Sequence, residues 1–126
     1  MTPLALLMQR QVEKISQSET LCEAAQRMRA RRIGALLVCH EGEPVGILSE
    51  TDFVRKAVAE GLDPRTTRIE TIMSRPIISI DMDNTARDAS NRMAAHNIRH
   101  LVVMDGSKIV GMLSIKDLLV CFKNRL

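Results

Sequence analysis

Apolar side chains recur with a helical period in two parts of the chain. Between Thr20 and Ala30 they lie three or four residues apart, which predicts an amphipathic helix. Thr20 and Glu23 have the spacing of a capping box at its start. A segment of the same period begins at Thr85, where Asp88 replaces the glutamate. The apolar residues are Leu21, Ala24, Ala25 and Met28 in the first segment and Ala86, Ala89 and Met93 in the second.

Each predicted helix is followed by two apolar runs with a turn between them, the pattern of a β-hairpin. Asp105-Gly106 is the clearer of the two turn signals. A short apolar segment precedes each helix, and a second helix follows each hairpin. The predicted strands are Val12–Ile15, Ala35–Cys39 and Val45–Leu48, then Ile77–Ile80, Leu101–Met104 and Ile109–Leu113. The second helices are predicted from Glu50 to about Glu60 and from Ile115 to about Lys123.

The two halves of the chain are copies of one unit. A shift of 65 residues aligns Leu7–Lys56 with Ile72–Cys121 without a gap, and 16 of the 50 pairs are identical. The densest identity pairs Val45-Gly46-x-Leu48-Ser49-x-x-Asp52 with the segment from Val110 to Asp117. Internal repetition at a fixed period indicates a repeated supersecondary unit.

The predicted fold class is α+β, with two tandem β-α-β-β-α units. Gly61–Arg65 has the composition of a helix stop and a turn, so we place the boundary there, with units at 1–62 and 63–126. A unit of this size has a marginal core alone. We therefore expect the two units to pack sheet to sheet about a pseudo-twofold axis, with two equivalent clefts.

The repeated glycine, serine and aspartate suit a nucleotide. Glycine lets a ligand approach the strand backbone. Ser49 would stand at a helix N-terminus, where free N–H groups favour a phosphate. Asp52 offers a carboxylate to ribose hydroxyls, as acidic residues do in other nucleotide folds. Gly46 completes the first set, and Gly111, Ser114 and Asp117 form the second.

The same serine and aspartate also form a plain capping box, which stabilises a helix by roughly 1 kcal/mol. Both interpretations hold together if the serine caps the helix and the aspartate binds ribose. The sequence pattern does not distinguish helix capping alone from ligand binding.

The order of elements, their duplication and the Gly-h-h-Ser-x-x-Asp motif resemble the CBS domain pair, or Bateman module, over about residues 7–122. The resemblance implies a stand-alone tandem CBS-domain protein that requires no cofactor. It implies an adenosine-containing ligand: AMP, ADP, ATP, NAD(H) or S-adenosylmethionine.

By this resemblance the second copy is the better equipped for a nucleotide. Arg99 and His100 are similar to the basic pair that contacts phosphates in the family, and Ile77 and Ile78 to the stretch that meets adenine through backbone groups. The first copy has Gly34-Ala35 and Val12 at these places. Three alternatives are open for its cleft: it takes an uncharged adenosine moiety, it borrows a phosphate ligand from across the axis, or it stays empty. Met112 is a candidate cover for the adenine face.

Composition narrows the function classes further. Aromatic residues make up 2% of the chain, so no stacking platform for single-stranded nucleic acid is indicated. The net charge of +3 is spread along the chain. Its one dense cluster is expected to be a solvated helix face. That cluster consists of Arg27, Arg29, Arg31 and Arg32. The apolar run Leu4–Met8 is too short for a signal peptide or a membrane span.

The cysteines and histidines predict no metal site and no disulfide framework. Cys22, Cys39 and Cys121 are odd in number, and no C-x-x-C occurs. His96 and His100 are four residues apart, but the predicted helix ends between them. Unpaired cysteines in apolar runs fit a reducing cytoplasm, which is the expected location.

Two function classes remain. The first is a non-catalytic adenine-nucleotide sensor that regulates a separate protein. The alternative is a dimerisation or protein-interaction module with vestigial clefts. An enzyme is not expected, because the sequence shows no nucleophile–base pair, metal set or glycine-rich phosphate loop. By the resemblance we also expect a homodimer formed through apolar helix faces near Phe53, Val54, Leu118 and Leu119.

Overall fold

The computed structural model describes residues 2–123 and confirms the α+β class, with two three-stranded sheets and their helices. The strands are β1 (Lys14–Ser16), β2 (Ala35–His40), β3 (Glu43–Ser49), β4 (Ser79–Asp81), β5 (His100–Asp105) and β6 (Lys108–Ser114). The helices are α1 (Leu4–Leu7), α2 (Leu21–Arg31), α3 (Glu50–Asp52, continued as a π-helical segment over Phe53–Val58), α4 (Ala86–His96) and α5 (Ile115–Lys123). A 3₁₀ turn spans Ile69–Thr71.

The chain forms two compact units, which we name after their repeated aspartates. The Asp52 unit comprises residues 13–77, and the Asp117 unit comprises residues 2–12 and 78–123. In each, the first strand pairs parallel with the second, and the second pairs antiparallel with the third. Both hairpins shift register at equivalent places, after Val38 and after Val103. The predicted repeat therefore extends to the irregularities of the sheets.

Each unit has its own core between its sheet and its helices. Alternate residues of the strands meet one face of the helices, as the strand and helix periods require. The core of the Asp52 unit includes Leu21, Ala24, Met28, Leu36, Val38 and Leu48, and that of the Asp117 unit includes Ala86, Ala89, Met93, Leu101, Val103 and Leu113.

The grouping of the chain differs from the predicted boundary near residue 62. The first residues pack with the second half because Leu4 is completely buried in the core of the Asp117 unit. Residues 63–77 pack with the first half because Ile69 is completely buried in the core of the Asp52 unit. The predicted boundary followed the order of the repeat. In the structure, residues 2–12 group with the second half of the chain and residues 63–77 group with the first.

The two first helices are capped by threonine as predicted, but only one box closes. Thr20 Oγ1 accepts from the Glu23 N–H at 3.2 Å, while the Glu23 carboxylate pairs with Arg27 at 3.5 Å. Thr85 Oγ1 accepts from the Asp88 N–H at 3.1 Å, and the Asp88 carboxylate accepts from the Thr85 N–H at 3.0 Å. The bond from the Thr85 backbone is the main cause that lowers the pKa of Asp88.

One arginine of the predicted solvated cluster has a structural role. Arg27 Nη1 donates to the backbone oxygen of Lys14 at 2.8 Å, and its repeat partner Arg92 donates to that of Ser79 at 2.6 Å. Each arginine thus ties the first helix of its unit to the first strand. Within residues 2–123 no helix is both long and apolar enough to cross a membrane.

Candidate ligand-binding site

Both Ser-x-x-Asp segments form the capping box that the sequence allowed. In the Asp117 unit, the Ser114 N–H donates to Asp117 Oδ2 at 2.8 Å, and the Asp117 N–H donates to Ser114 Oγ at 3.3 Å. In the Asp52 unit the matching distances are 2.9 and 3.3 Å, between Ser49 and Asp52. Each serine ends the third strand, and the following helix begins at the next residue. Each box therefore fixes its aspartate one turn into a helix.

The remaining carboxylate oxygen distinguishes the two sites. Asp117 is partly exposed, and Oδ1 of its carboxylate has no hydrogen-bond partner among residues 2–123. One acceptor oxygen is thus held in a fixed position near a helix N-terminus, where the helix dipole also favours a negative group. This oxygen can accept hydrogen bonds from a ligand without losing any that it makes to residues 2–123.

In Asp52, by contrast, both carboxylate oxygens have hydrogen-bond partners. It is 4% exposed, and its Oδ1 accepts from Ser74 Oγ at 2.8 Å and from Lys56 Nζ at 3.0 Å. Oδ2 accepts from the backbone and the hydroxyl of Ser49. Neither Lys56 nor Ser74 was predicted from the sequence as a site residue. A lysine four residues after the aspartate was the one available signal, because that spacing places the two on one helix face.

The backbone of Arg99 and His100 lies beside the Ser114–Asp117 box. The Ile115 N–H donates to the backbone oxygen of Arg99 at 2.8 Å, and His100 is the register partner of Ser114. The side chain of Arg99 is exposed, and His100 is partly exposed. The backbone of Arg99 therefore adjoins the N-terminus of α5, and its cationic side chain is exposed there.

The Asp52 unit has the same backbone arrangement without the charge. The Glu50 N–H donates to the backbone oxygen of Gly34 at 3.0 Å, and Ala35 is the register partner of Ser49. Neither side chain offers a donor to a phosphate.

The repeated glycines lie against neighbouring segments of the chain, a contact that was not predicted from the sequence. A Cβ at Gly46 would lie 2.9 Å from the Ser74 backbone oxygen, and one at Gly111 would lie 2.5 Å from Met8 Sδ and 3.0 Å from the Gln9 backbone oxygen. The segments at Ser74 and Gln9 each form a bridge to the third strand of their unit. Each glycine therefore admits a neighbouring chain segment.

The other predicted site residues lie before or within the strands. Ile77 and Ile78 are partly buried and precede β4, which begins two residues later than predicted, and the Ile78 backbone oxygen accepts from the Val102 N–H at 3.2 Å. Val12 is partly buried and groups with the Asp117 unit, although it was expected in the first copy. Met112 is in β6, and its backbone pairs with Gln9 in both directions.

No metal centre is formed by the part of the chain that the structure describes. Residues 2–123 contain no group of three or more histidine, cysteine, aspartate or glutamate side chains placed to hold an ion. His96 ends α4 and His100 begins β5. The three cysteines are free, and burial is the main cause that raises the pKa of Cys39.

Comparison with known proteins agrees with the fold and the repeat. The chain is 34% identical over 110 residues to the CBS domain-containing protein YhcV of Bacillus subtilis, covering 87% of this chain and 78% of that protein. It is 36% identical over 106 residues to an uncharacterized protein of Methanopyrus kandleri, covering 82% of this chain and 54% of that protein. The chain thus spans about half the length of the latter relative.

Solved structures give the same result. A protein with CBS domains from Burkholderia ambifaria, described as a signal-transduction protein, superposes with a TM-score of 0.91 at 29% identity, covering 96% of this chain and 93% of that one. CBS-domain pairs are in general regulatory modules without catalysis of their own. The family model of the CBS domain matches the chain twice, at residues 5–59 and 69–124. The chain therefore belongs to the CBS domain family and contains two such domains in tandem.

Proposed function

We propose that this protein is a non-catalytic sensor that binds an adenosine-containing ligand at the Asp117 site and regulates a separate protein. The ligand class is that of AMP, ADP, ATP, NAD(H) and S-adenosylmethionine. One observation carries the proposal: Asp117 keeps a carboxylate oxygen without a partner among residues 2–123, beside the exposed Arg99.

The site offers an acceptor for the ribose of a nucleotide and positive groups for its phosphate. A ribose presents hydroxyl donors, and an ionised carboxylate is an acceptor only. The guanidinium of Arg99 and the N-terminus of α5 both favour a phosphate. Asp117 is bonded to Ser114, and the backbone of Arg99 adjoins the same helix N-terminus, so one ligand of nucleoside phosphate type can engage both residues.

The direct test is a thermal-shift panel on the full chain with AMP, ADP, ATP, NADH and S-adenosylmethionine. A ligand that binds the native state raises the melting temperature by mass action, and the increase grows with ligand concentration. We expect at least one member of the panel to do so. If all five leave the melting temperature unchanged at millimolar concentration, the protein is not a sensor of this class.

The contribution of Arg99 is tested by the charge of the ligand. Arg99→Ala should reduce the preference for AMP over adenosine and leave adenosine binding nearly intact, because the ribose carboxylate is untouched. Hydrogen bonds to charged groups contribute about 1.5–3 kcal/mol, or about ten- to a hundredfold in affinity, less where the group is exposed. Calorimetric titration of both ligands measures the ratio.

The matched control is Arg87→Ala, another exposed arginine of the same unit. It should leave the ratio of AMP to adenosine affinity as in the parent protein. An equal loss for adenosine and AMP in Arg99→Ala would show that Arg99 supports the fold and not the phosphate.

A second candidate function is association of two chains through helix faces. Val54 and Val58 of α3 and Leu119 and Val120 of α5 are 59–73% exposed. Of the face predicted from the sequence, Leu118 is 1% exposed and belongs to the core. We propose a homodimer through these exposed side chains, to be measured by sedimentation. A dimer that binds none of the five ligands would favour the interaction module over the sensor.

A further inference from the structure

The ammonium group of Lys56 contacts three acceptor oxygens of its own unit. It lies 3.0 Å from Asp52 Oδ1, and it donates to the Ile72 backbone oxygen at 3.0 Å and to Ser74 Oγ at 3.2 Å. A lysine ammonium has three N–H donors, so this arrangement uses all of them. Lys56 therefore ties α3 to the segment that follows the 3₁₀ turn.

The same contacts saturate Asp52. Its two oxygens accept from the Ser49 N–H, the Ser49 hydroxyl, the Ser74 hydroxyl and the Lys56 ammonium. An ionised carboxylate has about four lone-pair sites, so no acceptor capacity is left for a ribose hydroxyl. A ligand at this site would have to displace a charge-assisted pair whose acidic member is 4% exposed.

The Asp117 unit has neither of these two side chains. The repeat places Cys121 where the Asp52 unit has Lys56, and Gln9 where it has Ser74. Cys121 is buried in the core of its unit, and the backbone of Gln9 bonds to Met112. The difference between the units lies outside the Ser-x-x-Asp motif, which is identical in the two.

We propose that Lys56 and Ser74 occupy the ribose-binding position of Asp52 and close this site, so that each chain binds a single nucleotide, at Asp117. The inference rests on the proposed function, because it names which of two repeated sites is open. Lys56 is thus the residue that sets the stoichiometry of the module.

The stoichiometry of adenosine decides the question. Adenosine is the probe because the Asp52 unit has Gly34 and Ala35 where the other has a basic pair. Calorimetric titration of the full chain should give one equivalent per chain. The double variant Lys56→Met with Ser74→Ala removes both occupants and should give a second equivalent. The control pair, Lys108→Met with Ser107→Ala, alters an exposed lysine and serine of the other unit and should stay at one.

Two results would overturn the proposal. One is a parent protein that binds two equivalents. The other is a double variant that remains at one equivalent although its circular dichroism and cooperative melting show that it is folded.

A measurement without ligand separates this proposal from the proposed function. If adenosine and every nucleotide fail to bind, the sensor function fails, and the closure by Lys56 is tested by a double-mutant cycle of Lys56→Met and Asp52→Asn in urea. Coupled partners should change the unfolding equilibrium constant by about 2- to 100-fold less than the product of the single effects. The same cycle tests the proposal if the double variant Lys56→Met with Ser74→Ala does not fold. A coupling factor of one would overturn the proposal.

Discussion

Asp117→Ala should weaken AMP binding by about ten- to a hundredfold. The substitution removes the carboxylate that we propose accepts from the ribose, and a hydrogen bond to a charged group is worth about 1.5–3 kcal/mol. Asp117 also closes the capping box at the start of α5, so the variant should lose some stability as well. Calorimetric titration with AMP at fixed salt, well below the melting temperature, separates affinity from stability.

Two further substitutions complete this experiment. Asp83→Ala removes an exposed aspartate of the same unit and serves as the control for charge. Asp52→Ala should affect stability more than affinity, because Asp52 is buried and held by Lys56 and Ser74. Paired titrations in which Asp52→Ala weakens AMP more than Asp117→Ala would reverse our ranking of the two sites.

Gly46→Ala should destabilise the protein by about 1–3 kcal/mol, the usual cost of overpacking. The added Cβ would lie 2.9 Å from the Ser74 backbone oxygen and 3.1 Å from Met73 Sδ. Relief requires the Ser74 segment to move, which strains the two hydrogen bonds between Ile47 and Ser74 at 2.8 and 3.1 Å. Urea unfolding of both proteins, with their m-values compared, measures the loss.

Gly111→Ala is the comparison for this effect. The two nearest atoms there belong to the flexible side chain of Met8, and the nearest backbone atom, the Gln9 oxygen, lies at 3.0 Å, against 2.9 Å for the Ser74 oxygen at Gly46. We expect a smaller loss of stability than for Gly46→Ala. If Gly46→Ala is as stable as the parent protein, the space beside this glycine is not limited by Ser74.

The local elements of the fold were predictable because their signals are local. The helical period and the threonine caps fixed the starts of α2 and α4, and the Asp105-Gly106 turn fixed the second hairpin. The grouping of the segments was not predictable in the same way. Leu4 lies in a short apolar run without a measurable period, and its burial depends on a core that begins over seventy residues later. The repeat contained one signal for this grouping. Met8 and Met73 are equivalent and identical, and each lies beside a repeated glycine.

The candidate site, like the fold, was predictable only where its signals are local. The Ser-x-x-Asp boxes followed from the motif, and the choice of Arg99 followed from the family resemblance and its place after the first helix of the second copy. The difference between Asp52 and Asp117 did not, because the two motifs are identical. It arises from Lys56, one turn further along, and from Ser74, which is distant in sequence and reaches Asp52 through the fold.

An amide NMR titration of the isotope-labelled full chain with AMP shows which of the two sites binds the nucleotide. We expect saturable shifts concentrated at Arg99, His100, Ser114 and Asp117, with little change at Ser49 and Asp52. Saturable shifts concentrated at Ser49 and Asp52, or no saturable shift up to millimolar AMP and the other panel ligands, would contradict this expectation.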